Sequence, residues 1–120
     1  MTKHSPDPES LLPLQTATFH VLVALADSER HGYSIMQDVA ARTDGKVKLS
    51  AATLYSTIRR MLEQGLIREL RESPDPDSQD ERRRYYGLTD FGRRVAMAEA
   101  RRLTDLLSQA RQTGLIPKKL

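Results

Sequence analysis

Between residues 50 and 88 the chain carries a pattern that few folds can accommodate. Ser50 has a side-chain oxygen suited to capping a helix, and Leu54, Ile58, Met61 and Leu62 follow at the spacing of one buried helical stripe. This predicts a helix over 50–64, stopped at Gly65. Residues 66–71 read as a strand, and 82–88 as a second strand rich in tyrosine. Between them Pro74-Asp75-Pro76-Asp77-Ser78-Gln79-Asp80-Glu81 suits only a polar loop. An amphipathic helix running straight into an antiparallel hairpin leaves the opposite face of that helix, with Ala51, Ala52, Tyr55, Ser56, Arg59 and Arg60, turned away from the core.

The flanks extend the pattern. Residues 1–12 are polar and proline-rich and read as a flexible arm. Thr16 is placed to cap a first helix, which is apolar around most of its circumference: Phe19, Leu22 and Ala26 form one stripe, Val21 and Leu25 another. A second helix is expected over 33–43, ending at Asp44-Gly45, and a very short strand over 46–49, where Lys46-Val47-Lys48-Leu49 alternates. Thr89 caps a last helix that runs to about Gln112, before Gly114; at this length it spans ~35 Å, more than so small a core needs. It has one stripe of Phe91, Val95, Ala98 and Leu106 and a second of Ala96, Ala100, Leu103, Leu107 and Ala110. The second recurs as helix–helix seams do. With the outer side of the first helix (Phe19, His20, Val23), it is expected to form a homodimer interface.

The expected fold is mainly α with a small β-hairpin: a winged helix-turn-helix over 13–88, a dimerisation helix over 89–112 and a tail over 113–120. Helix and wing are shaped to meet duplex DNA, the helix in the major groove and the hairpin at a neighbouring backbone. Charge agrees. The chain of 120 residues has a net charge of +3. Residues 42–60 alone hold Arg42, Lys46, Lys48, Arg59 and Arg60 against Asp44, a local charge of +4. Ser50, Thr53 and Ser56 can approach phosphates or base edges near the helix N-terminus. Arg82, Arg83 and Arg84 stand at the base of the wing, whose tip is acidic. Tyr86 and Leu88 share the core face of the strand, so Tyr85 is expected to face outward towards phosphate. Tyr55 is divided between DNA contact and packing. His31 is expected to cap the second helix or to neighbour a phosphate, and Gly32 and Gly92 to answer backbone requirements.

Other function classes fit poorly. The chain has no cysteine and three histidines without metal-ligand spacing, and it has neither a glycine-rich phosphate loop nor a nucleophile elbow. No enzyme activity and no cofactor are expected. The longest apolar run, residues 21–26, is far short of the ~18–20 residues of a membrane span, and the N-terminus has no apolar signal core; a cytoplasmic protein without membrane contact is expected. The alternative that survives is a winged helix used for protein–protein docking, which would have no need of the charge around the third helix.

Three segments then resemble one family. Glu29-Arg30-His31-Gly32-Tyr33-Ser34-Ile35-Met36 is similar to the "hGY" opening of the second helix in PadR-type transcriptional regulators. The run from Ala52-Thr53-Leu54-Tyr55 through Arg59-Arg60-Met61-Leu62-Glu63-Gln64-Gly65-Leu66-Ile67 resembles that family's "GTLYxxLxRLExxGLI" recognition helix. Arg83-Arg84-Tyr85-Tyr86-Gly87-Leu88-Thr89-Asp90-Phe91-Gly92 resembles its "RRYYxLTxxG" wing strand and cap. The likeness extends over residues 14–107. Ala51-Ala52 replace the usual Pro-Gly, and the C-terminal region is a single helix, as in the family's short branch. The resemblance implies a repressor on a palindromic operator and a small-molecule effector near the dimer interface. With no tryptophan in the chain to stack an aromatic ligand, the effector is left unidentified.

Overall fold

The computed structural model describes residues 6–70 and 84–117. A 3-10 turn, Pro8–Leu11, precedes α1 (Thr16–Asp27), β1 (Arg30–His31), α2 (Gly32–Arg42), α3 (Ala51–Glu63), β2 (Ile67–Glu69), β3 (Tyr85–Leu88) and α4 (Asp90–Gln112). Helix α1 lies at the centre and packs against α2, α3, α4 and β3. Its Val21, Leu22 and Leu25 meet Ile35 and Val39 of α2, Leu54, Ile58 and Met61 of α3, and Val95 of α4, all buried. Burial on more than one side of α1 explains why its sequence is apolar most of the way round.

The hairpin forms as expected, with Ile67 opposite Leu88 and Glu69 opposite Tyr86. The third strand is not the predicted one. Residues 46–49 pair with nothing in the sheet; β1 takes the other edge of β3, with Arg30 opposite Tyr86 and His31 opposite Tyr85. The alternation at 46–49 is nevertheless real, because Val47 and Leu49 pack against the core while the lysines are exposed. The Val47 N–H donates to the Thr43 hydroxyl at 3.0 Å instead of to a ladder. Arg30–His31 follows closely on the end of α1, which itself packs against β3, so the chain is already near that edge.

Local signals place the helix ends. Ser50 accepts from the Thr53 N–H at 3.1 Å, and Thr89 accepts from the Gly92 N–H at 2.9 Å. The first helix differs, since Gln15 rather than Thr16 sits at its cap position and makes no side-chain cap bond. Gly92 answers a close approach: a Cβ there would lie 1.9 Å from the Leu66 carbonyl oxygen. Thr89 closes the same joint, its N–H reaching Leu66 O at 3.1 Å and its hydroxyl donating to Gly65 O at 2.6 Å.

The expectation of a flexible arm over 1–12 fails for its second half. Asp7 caps the Pro8–Leu11 turn, the turn docks on α4, and Leu11 and Leu12 pack against the core. Pro8 presets the turn's first dihedral, and two leucines have an apolar surface to cover. Residues 1–5 lie outside the described residues, as do the acidic loop and the last three residues. At the other end, Glu99 is the last buried residue of α4, and Leu106 and Leu107 beyond it are about half exposed.

Candidate nucleic-acid interface

Helix α3 divides cleanly. Leu54, Thr57, Ile58 and Met61 are buried, while Ala51, Ala52, Thr53, Tyr55, Ser56, Arg59 and Arg60 are exposed. Its first turn presents small side chains outward, and the hydroxyls near it are tied locally: Ser50 to Thr53 at 3.0 Å, and Ser56 to the Thr53 carbonyl at 3.1 Å. A groove wall or phosphate can therefore approach the backbone closely at this end, where free N–H groups and the helix dipole favour an anion. The bulkier arginines come later on the same face.

Tyr55 is 47% exposed, yet it also packs. A Cβ on Gly32 would sit 2.5 Å from the Tyr55 hydroxyl oxygen, so the glycine opening α2 makes room for the tyrosine of α3. The contact is with the start of α2. His31 caps α2, its Nδ1 accepting from the Ser34 N–H at 3.2 Å. The Tyr85 ring meets the His31 ring edge-on, with centroids 5.2 Å apart. This corrects the expectation for Tyr85, which is buried like Tyr86. Strand β3 is central, and His31 of β1 covers the face that an edge strand would have left to solvent.

The charge around α3 also needs correction. Arg42 Nε lies 2.6 Å from Asp38 and its Nη2 lies 3.3 Å from Asp27. Arg30 joins the cluster, with 3.1 Å contacts to both aspartates, and donates to the Ala24 carbonyl and Ser34. Hydrogen bonding to Asp38 raises the Arg42 pKa further, so the residue is a cation already answered by carboxylates. The cluster ties the end of α1 to α2 and adds nothing to an outward field. Lys46, Lys48, Arg59 and Arg60 remain exposed. Arg60 Nη1 donates to the Gln15 side-chain oxygen at 2.5 Å. At the wing base Arg84 is exposed and lies 3.5 Å from Glu69, and Arg68 of β2, which the sequence did not single out, lies 3.7 Å from Glu29. Arg82 and Arg83 lie outside the described residues.

A second surface lies across the molecule, between α1 and α4. Phe19, Val23 and Ala26 face Ala96, Met97 and Ala100 across an open groove of about 220 Å³, floored by Leu22 and Leu88. His20, Leu103 and Ala110 are half-buried, and Leu107 is more open. Met97, 59% exposed, belongs to this surface and was hidden by its place between the two apolar stripes.

Helix-turn-helix α2–α3, followed by the β2–β3 wing, defines a winged helix-turn-helix protein. The family model for the transcriptional regulator PadR-like family matches residues 21–98, and the chain belongs to that family. Its fold is similar to that of a transcriptional regulator from Clostridium thermocellum, with a TM-score of 0.68 and 21% identity over 83% of this chain and 90% of the other. A PadR family regulator from Clostridium difficile gives a TM-score of 0.69 at 21% identity, over 82% and 98% of the two chains. The PcaV transcriptional regulator of Streptomyces coelicolor, solved in complex with its natural ligand, gives 0.67 at 23% identity, over 89% and 66%. In sequence, an uncharacterized protein of Lysinibacillus sphaericus is 30% identical over 74 residues, which span 61% of this chain and 64% of that relative. No helix among the described residues is long and apolar enough to cross a membrane.

Proposed function

We propose that the chain is a sequence-specific, double-stranded-DNA-binding transcriptional regulator, acting as a homodimer on a roughly palindromic operator. The observation that carries this reading is the outward face of α3: small polar and alanine side chains at the N-terminal end, then Arg59 and Arg60, with exposed Lys46 and Lys48 on the preceding segment. The N-terminal end of α3 enters the major groove, the arginines and lysines meet flanking phosphates, and Arg84 at the wing base reaches the next stretch of backbone. The apolar groove between α1 and α4 supports pairing of two protomers about a two-fold axis, with half-sites ~34 Å apart. Family membership supports repression by excluding polymerase, and the open volume of the same groove supports a small apolar effector there.

Selection of bound duplexes from random DNA, followed by salt titration, tests the reading. A symmetric site should emerge. With Lys46, Lys48, Arg59, Arg60 and Arg84 of each protomer meeting phosphates, the slope of log K against log salt should be about −9. Recovery of no preferred sequence, with affinity indifferent to salt, would favour the protein-docking alternative.

A further inference from the structure

The segment leading into α1 makes two polar contacts, one residue apart, to two different helices. The Leu14 N–H donates to Glu99 Oε2 of α4 at 2.8 Å, and Glu99 is 2% exposed. Gln15 stands at the cap position of α1 but gives that helix no side-chain bond; its amide oxygen accepts from Arg60, 45 residues away on α3, at 2.5 Å. Capping therefore does not account for the use of this side chain. The segment behind it is anchored as well, since the Pro8–Leu11 turn docks on α4 and Leu12 and Leu14 pack against the core. The Gln15 oxygen is thus presented from a fixed platform to a side chain in the last turns of α3. A guanidinium has five N–H donors, and a neutral amide engages one without cancelling the charge. The contrast with Arg42, whose partners are two carboxylates, is direct.

We propose that Gln15 is a positioning residue for Arg60: it holds the guanidinium, charge intact, where a DNA phosphate is to be met, and the Leu14–Glu99 bond anchors that hold to α4. The proposal rests on the DNA-binding reading above. A carboxylate at position 15 would pair with Arg60 and repel the phosphate. An unanchored Arg60 would have to be ordered on binding.

The test uses the full chain and the selected duplex, with Gln15→Ala, Gln15→Glu, Arg60→Ala and the Gln15→Ala/Arg60→Ala double variant. Gln15→Ala should lose ~2–10-fold in affinity, the cost of immobilising one long side chain. Its salt slope should be unchanged, because the cation remains. Arg60→Ala should lower the slope by ~1. The double variant should match Arg60→Ala, and Gln15→Glu should bind more weakly than Gln15→Ala. In the protein without DNA, the Arg60 side-chain amide resonances should be ordered in the wild type and averaged in Gln15→Ala. Equal losses from Gln15→Ala in both backgrounds would assign Gln15 a folding role and overturn the proposal, as would wild-type binding by Gln15→Glu. Salt-dependent wild-type binding that Arg60→Ala leaves untouched would sink the tether and spare the DNA-binding reading. Failure of the wild type to bind any duplex would remove that reading, and averaged Arg60 resonances in the wild type would remove the tether on their own.

Discussion

Replacing Glu99 should destabilise the protein in a graded and pH-dependent way. Its carboxylate is buried in α4, accepts the Leu14 N–H at 2.8 Å and binds Arg102 through both oxygens. Stranding a fully buried charge partner costs ~3–5 kcal/mol. Arg102 is 38% exposed and can turn to water, so that penalty does not apply here. What Glu99→Ala leaves behind is a part-buried N–H without its acceptor, ~1–3 kcal/mol, and a small cavity. We expect a loss of about 2–3 kcal/mol. Glu99→Gln keeps an oxygen for Leu14 and loses the charge; since charge-assisted bonds are roughly twice as strong as neutral ones, about 1 kcal/mol should go. Urea unfolding at one fixed protein concentration, with the m-value checked for constancy, measures both. The Arg102 hydrogen bond holds the Glu99 carboxyl below its ordinary value of 4.5. A depressed folded-state pKa contributes stability that is fully present above the ordinary value and is lost as pH falls through the folded one. The gap between wild type and Glu99→Gln should therefore be constant from pH 7 to about 5 and shrink below that. An Ala variant within ~0.5 kcal/mol of wild type, or a gap that widens on acidification, would refute the reasoning.

Arg59→Ala should leave thermal stability unchanged, because the side chain is exposed opposite the buried stripe of α3, and should weaken DNA binding with a salt slope lower by ~1; unchanged affinity at every salt concentration would mean that α3 does not face DNA. Gly92→Ala meets a backbone oxygen at 1.9 Å, so α4 must shift; a loss of ~1–3 kcal/mol or more is expected by calorimetry, and a variant as stable as wild type would show the joint to be compliant. Leu103→Glu with Leu107→Glu, one half-buried and one about half exposed, should convert a dimer to a folded monomer in sedimentation; a wild type that is monomeric at micromolar concentration would remove the premise.

What the sequence made legible was mostly local. Ser50, Thr89 and His31 cap helices through atoms within three residues, and Gly65 and Gly114 stop them with positive φ, so one short window holds each signal. The apolar stripe of α3 identifies its outward face by subtraction. Features set by distant pairing were not legible. Arg42 reads as a free cation until Asp27 and Asp38 are brought beside it, and Tyr85 reads as outward-facing until Arg30–His31 occupies the second edge of β3. Glu99 sits in a charged stretch with Arg101 and Arg102, where nothing in the spacing distinguishes a buried carboxylate from a solvated one. Gln15 carries no signal at all, since its partner is 45 residues away.

The joint at Gly92 has a mechanical consequence. With the Leu66 carbonyl filling the space a methyl would take, and Thr89 bonded across the same point, there is no clearance between the start of the last helix and the root of the hairpin. A hinge without play transmits rotation. The half of α4 beyond Glu99 has no buried residue of its own and extends like a free arm from that joint. A rotation of α4 at its first turn must therefore be shared by the root of the hairpin, because the joint leaves it no room to slip.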